Sequence, residues 1–158
     1  ENYIHLSNFY EIYKDTYNVE WGSHKWLELP VKENYENYIF ISASKKRYNY
    51  YFDFNSLKKY NKEIFFITTN INEYNYFKEN SKCDFDLILF DNLMDYWIAI
   101  NSCFLFVSNL SSFLSVALSL QKNNIALLPD ENLQDDIVHF PRNLINSMWY
   151  KNEKENNL

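Results

Sequence analysis

From Tyr38 onward the chain alternates short, almost wholly apolar runs with longer stretches in which apolar residues recur every three or four positions. The runs are YIFISA (38–43), EIFFITT (63–69), FDLILF (85–90), CFLFVS (103–108) and NIALLP (124–129). Runs of this length bounded by polar loops predict buried strands. The stretches between them predict helices. DFNSLKKY (53–60) has Asp53 or Asn55 available as its cap, and NINEYNYFKEN (70–80) carries Ile71, Tyr74 and Phe77 on one face. In DNLMDYWIAINS (91–102), Asp91 is the expected cap for a face of Leu93, Trp97, Ile98 and Met94. In LSSFLSVALSLQ (110–121), Leu110, Phe113, Leu114, Ala117 and Leu118 follow one helical stripe, so the helix is expected to start at or just after Asn109, with Ser108 or Asn109 as cap.

Strands apolar on both faces, alternating with amphipathic helices, predict an α/β fold: a Rossmann-like parallel sheet with helices on both faces. In such sheets every strand points its C-terminal end to one edge, and ligands bind there, where the strand order reverses. Residues 31–150 are expected to form this domain. Before it, residues 1–30 predict a helix carrying Leu6, Phe9, Tyr10 and Tyr13, then an extended approach broken at Gly22 and Pro30. After it, 151–158 reads as a polar tail.

Composition narrows the function classes. The chain has 158 residues, 47% hydrophobic and 23% charged, with a formal charge of −6. These values suit one folded domain, and they argue against a nucleic-acid partner, which needs a concentrated basic face. The many tyrosines accompany many Asn, Lys and Ile, a bias that AT-rich codon usage produces. No apolar run reaches the length of a transmembrane segment and no signal peptide opens the chain, so a soluble, cytoplasmic protein is expected. Cys83 and Cys103 are expected as reduced thiols. The start at Glu1 is compatible with processing or with a piece of something longer.

The loops at the strand ends hold the candidate chemistry. Lys45, Lys46 and Arg47 are three consecutive cations after the first strand, suited either to a diphosphate or to a solvated turn. The loop after the second strand offers Thr69, followed by Glu73 in the first helical turn; Glu73 can accept from a sugar hydroxyl or simply complement the helix dipole. Around Asn109, Ser111 and Ser112 a helix start offers backbone amides and hydroxyls to an anion. With Gly22 as the sole glycine, a P-loop and the dinucleotide fingerprint are excluded. His5, His24 and His139 lack metal-ligand spacing, the Asp135–Asp136 pair reads as solvated, and no nucleophile stands in a recognisable setting, so no metal or cofactor is expected.

In their order along the chain these loops resemble the C-terminal half of two-domain GT-B glycosyltransferases, closest to the heptosyltransferase-like family 9. The likeness runs from about Tyr38 to Pro129. It rests on Arg47-Tyr48-Asn49 after the first strand, Glu73-Tyr74 after the second, and Ser108-Asn109-Leu110-Ser111 before the last helix. It implies a domain that binds a nucleotide-sugar donor through Lys45, Arg47, Asn49, Thr69, Glu73, Asn109, Ser111 and Ser112, with no metal. Hexosyl or heptosyl transfer would then need a partner chain or a missing N-terminal domain for the acceptor and the general base. Thr68 and Ser108 stand where the family tends to have glycine, which favours the alternative of a catalytically inactive module kept for binding or assembly.

Overall fold

The computed structural model describes residues 27–127 and 147–150. The expected N-terminal helix, the polar tail, His5, His24, His139 and the Asp135–Asp136 pair lie outside these residues. Six strands form one sheet: β1 (Tyr38–Ser42), β2 (Glu63–Thr68), β3 (Asp86–Leu89), β4 (Leu105–Asn109), β5 (Asn124–Leu127) and β6 (Ser147–Tyr150). All neighbours are parallel, in the order β3-β2-β1-β4-β5-β6. The order reverses between β1 and β4, which meet with Ile39 opposite Leu105 and Ser42 opposite Ser108.

Among the described residues, three α-helices connect the strands: α1 (Ile71–Ser81), α2 (Leu93–Ser102) and α3 (Ser112–Ser119). The first crossover instead uses a 3-10 helix at Phe54–Tyr60, capped by Asp53, whose side chain accepts from the Asn55 amide at 3.0 Å. The sheet is covered on both faces, as its apolar strands require. Ile39, Ile41, Phe66, Leu105 and Val107 pack with Phe54, Leu57 and Phe77, beneath the 3-10 helix and α1. On the opposite face Phe40, Ile67 and Phe106 pack with Tyr96, Ala99 and Ile100 of α2 and with Ala117 of α3. Each fully buried Phe or Ile contributes roughly 1.5–3 kcal/mol over an exposed position. The fold is therefore the α/β parallel sheet expected from the sequence.

Several local expectations are corrected. Asn92, not Asp91, caps α2: its side chain accepts from the Asp95 amide at 2.9 Å and donates to the Asp95 carboxylate at 2.7 Å. The buried face of α2 is Tyr96, Ala99 and Ile100, whereas Leu93 and Met94 are half exposed. Tyr96 fills the stripe because its hydroxyl finds a partner inside, donating to the Ile67 carbonyl at 3.1 Å. Ile71 is likewise exposed, and α1 anchors through Phe77. Cys103 ends α2 and does not begin β4; its amide donates to the Ala99 carbonyl. With glycine so scarce, left-handed backbone among the described residues falls to Asn61, Lys82 and Gln121, at φ of 51°, 56° and 52°; Asn61 closes the 3-10 helix and Lys82 closes α1.

Candidate functional site

The C-terminal ends of β1, β2 and β4 bring the candidate residues to one rim. After β1 the chain enters a single 3-10 turn, Lys45–Arg47, that crosses toward the start of α3. Arg47 is half-buried and its Nη1 donates to the Leu110 carbonyl at 3.1 Å. From the other side Asn109, the last residue of β4, donates through Nδ2 to the Ser44 carbonyl at 2.9 Å and to the Ser44 hydroxyl at 3.1 Å. The basic turn and the serine-rich helix start are thus adjacent, and the chain's own side chains tie them together. Arg47 and Asn109 act here as struts.

The helix start is built one step later than expected. Ser108 and Asn109 still belong to β4 and are buried, and Ser111 is the cap of α3. The strand continues because β5 pairs with it through Asn109, opposite Leu127. The Ser108 hydroxyl donates to the Asn109 carbonyl at 2.8 Å, so in its 3.2 Å contact with Ser111 the proton comes from Ser111. Ser111 also accepts from the Leu114 amide. Its proton is turned inward, which leaves the exposed Ser112 hydroxyl and the first amides of α3 as the donors facing outward.

The lysines diverge. Lys45 is exposed and sits 5.3 Å from the centre of the Tyr76 ring, toward α1, and Lys46 is exposed at the apex of the turn. Tyr76 in turn hydrogen-bonds Tyr50 through their hydroxyls and meets Tyr48 edge-on. Asn49 is buried, and its Oδ1 accepts from the Tyr51 and Phe52 amides, both at 2.9 Å. It shapes the turn that follows Arg47.

Beside this, at the end of β2, Thr69 is exposed. Its neighbour Thr68 is buried and donates to Glu73 Oε2 at 2.7 Å while accepting from the Asn70 amide at 3.0 Å. Asn70 caps α1 through the Asn72 amide. Glu73 therefore completes a helix-start network, and of the two roles open to it the dipole complement is the one this geometry carries. Tyr96 lies just beneath, stacked on Phe113 at 4.0 Å; burial first, and the Glu73 charge in lesser part, push its hydroxyl well above the ordinary value. It stays protonated and cannot serve as a base near neutrality.

Of the eight candidate residues, the structure gathers Arg47, Asn109, Ser111 and Ser112 around the β1–β4 switch point, with Lys45 on its flank. Thr69 and Glu73 stand one strand away, and Asn49 is turned into the fold. The residue missed from the sequence is Ser44, the acceptor for Asn109; its signal was its place two residues after a buried strand at the switch point. Among the described residues no group of three His, Cys, Asp or Glu is placed to hold a metal ion. Among them no helix is long and apolar enough to cross a membrane.

Comparison with protein-family models, curated proteins and solved structures finds no match.

Proposed function

We propose that this chain is a glycosyltransferase-like domain that binds the diphosphate of a nucleotide-sugar at the switch point between β1 and β4. The observation that supports it is the meeting of a basic turn with a helix start at the one place where a parallel sheet reverses its order, seen in the Arg47–Leu110 hydrogen bond of 3.1 Å. Lys45 and Lys46 supply charge, and Ser112 with the first amides of α3 supplies directed donors. Arg47 and Asn109 hold the two loops in register, and Thr68, Asn70 and Glu73 hold the adjoining loop. Such an arrangement stabilises a leaving nucleoside diphosphate as charge develops on it, without a metal. Acceptor binding and the general base would come from a partner chain or a further domain. A cytoplasmic location belongs to the same reading.

Calorimetric titration with nucleoside diphosphates and their sugars tests this. Saturable binding is expected, weakened by about tenfold, or roughly 1.4 kcal/mol, in the Lys45→Ala/Lys46→Ala double variant. Absence of binding at millimolar ligand rejects the proposal. A second reading, an inactive module kept for binding or assembly, draws support from the ties that Asn109 and Arg47 make across the crevice and from side chains at Thr68 and Ser108 in place of glycine. It predicts no nucleotide binding and an interface that includes the exposed Tyr50 and Tyr51.

A further inference from the structure

The same rim carries a second feature, away from the β1–β4 switch point. Thr68 pairs with Leu89, which sets the loops that leave β2 and β3 side by side. On and beside these loops Ile71, Leu89, Leu93 and Met94 are 45%, 48%, 52% and 51% exposed. Four half-exposed apolar side chains on adjacent loops form a patch, and a patch of this kind marks an interaction surface where scattered single residues do not. Among the described residues β3 is also an outermost strand of the sheet. The flank of the patch is acidic: Asp91 and Asp95 are both exposed.

That flank decides what can cover the patch. Setting it against the same patch of a second copy would face Asp91 and Asp95 with their own duplicates, which like-charge repulsion opposes. The stretches 1–26 and 128–146 of this chain match no better, since each carries four acidic residues, against two basic residues and one. The complement lies further along the rim. Lys45 and Lys46 are exposed after β1, and Tyr50 is 58% exposed. Lys45 sits 5.3 Å from the centre of the Tyr76 ring and Tyr50 hydrogen-bonds the Tyr76 hydroxyl, so the cations and the aromatic ring share one surface. Only β2 separates β1 from β3, which puts the two strand ends about 10 Å apart.

A surface with complementary halves fits a second copy of itself once that copy is turned by a two-fold rotation, because each half then meets its opposite twice over. We propose that two copies of this chain pair rim to rim about a two-fold axis over β2, with Asp91, Leu93 and Met94 of each copy set against Lys46 and Tyr50 of the other. The apolar patch, on the order of 300–600 Å², reaches at most the low end of the roughly 1,200–2,000 Å² of a stable interface even when doubled, so the contact has to take in the basic turn. Met94 adapts its shape to the ring it meets, and Tyr50 offers a rigid anchor. The pairing goes beyond the nucleotide-binding reading and stands without it; where both hold, a diphosphate and the second copy compete for Lys45 and Lys46.

Sedimentation velocity of the full chain tests the pairing. A reversible dimer is expected, weakening as NaCl rises from about 50 to about 500 mM. Asp91→Lys and Lys46→Glu alter exposed side chains, so circular dichroism should show both variants folded, and each should weaken self-association by at least about tenfold. An equimolar mixture of the two variants should regain the dimer, because a mixed pair restores an opposite charge at both contacts; general destabilisation would give no such rescue. A wild-type chain that stays monomeric up to about 0.1 mM overturns the pairing. So does an Asp91→Lys variant that associates as tightly as wild type or more so, the result of patch-on-patch contact, and so does a mixture that stays monomeric. The nucleoside diphosphate titration of the wild-type protein decides its own reading separately.

Discussion

Replacing Thr68 by Val keeps the shape of the side chain and deletes its hydroxyl, which separates the two roles open to Glu73. In the structure that hydroxyl donates to Glu73 at 2.7 Å and accepts from the Asn70 amide at 3.0 Å, and Thr68 is 2% exposed. A hydrogen bond to a charged group contributes roughly 1.5–3 kcal/mol and a neutral one about 1 kcal/mol. Because Glu73 is partly open to water, the low end applies, and Thr68→Val should cost about 2 kcal/mol. In a chain of this size that corresponds to a fall in Tm of about 4–8 °C. Urea denaturation of Thr68→Val, Glu73→Gln and the double variant forms a thermodynamic cycle. A coupling of about 1 kcal/mol or more is expected if Glu73 is committed to the start of α1. A coupling below about 0.3 kcal/mol would refute the reasoning, and it would return the Glu73 carboxylate to the pool of groups free to meet a ligand.

Three further outcomes follow from the same geometry. Asn49→Ala leaves the Tyr51 and Phe52 amides without their acceptor and should destabilise the protein by about 1–3 kcal/mol in chemical denaturation, with no change in ligand affinity beyond that explained by unfolding. Burial pushes the Cys103 thiol from its ordinary value of 9.0 to about 12. The unfolded chain therefore releases this proton first, so the contribution is intact below about pH 9 and is lost as the pH rises toward 12. Native protein should resist a thiol reagent at Cys103 at pH 8, and Cys103→Ala should flatten the alkaline loss of stability; rapid labelling of Cys103 in the folded state contradicts its burial. Lys82, at φ 56° after α1, should be replaceable by Gly with a gain of about 0.5–1 kcal/mol, and a loss on thermal unfolding would show that its side chain matters more than its backbone.

The sheet was readable because strands covered on both faces leave few polar positions, a pattern that β1 and β4 display up to Ser42 and Ser108 at their C-terminal ends. The caps were less so. Asp91 and Asn92 are adjacent and both are good caps, and only the reach of Asn92 to the Asp95 amide decides between them. Ser108 and Asn109 looked like caps because of their residue types, yet β5 draws both into the ladder and passes the role to Ser111. The face of α2 was misread because Tyr96 was left off it, when a single carbonyl at Ile67 suffices to bury its hydroxyl. β6 went unread: SMWY is short, mixed in polarity and follows a long polar interval. At the rim, the sequence placed the right segments together without revealing that Arg47 and Asn109 would reach across to each other's loops, since that depends on register between β1 and β4 and not on either loop alone.

That register has a consequence for how the molecule comes into being. Of the two central strands, β1 precedes β4 in the chain by a long interval; Ser44 and Asn109, which meet at their ends, lie 65 residues apart. A nascent chain leaving the ribosome presents Ile39, Phe40 and Ile41 with one flank bare until Leu105–Asn109 emerges. Assembly dominated by such distant pairings is slow and exposes sticky edges while it waits. Truncations ending before β4 should accordingly be insoluble, and the yield of the whole chain should depend on helper proteins that shield hydrophobic segments during translation.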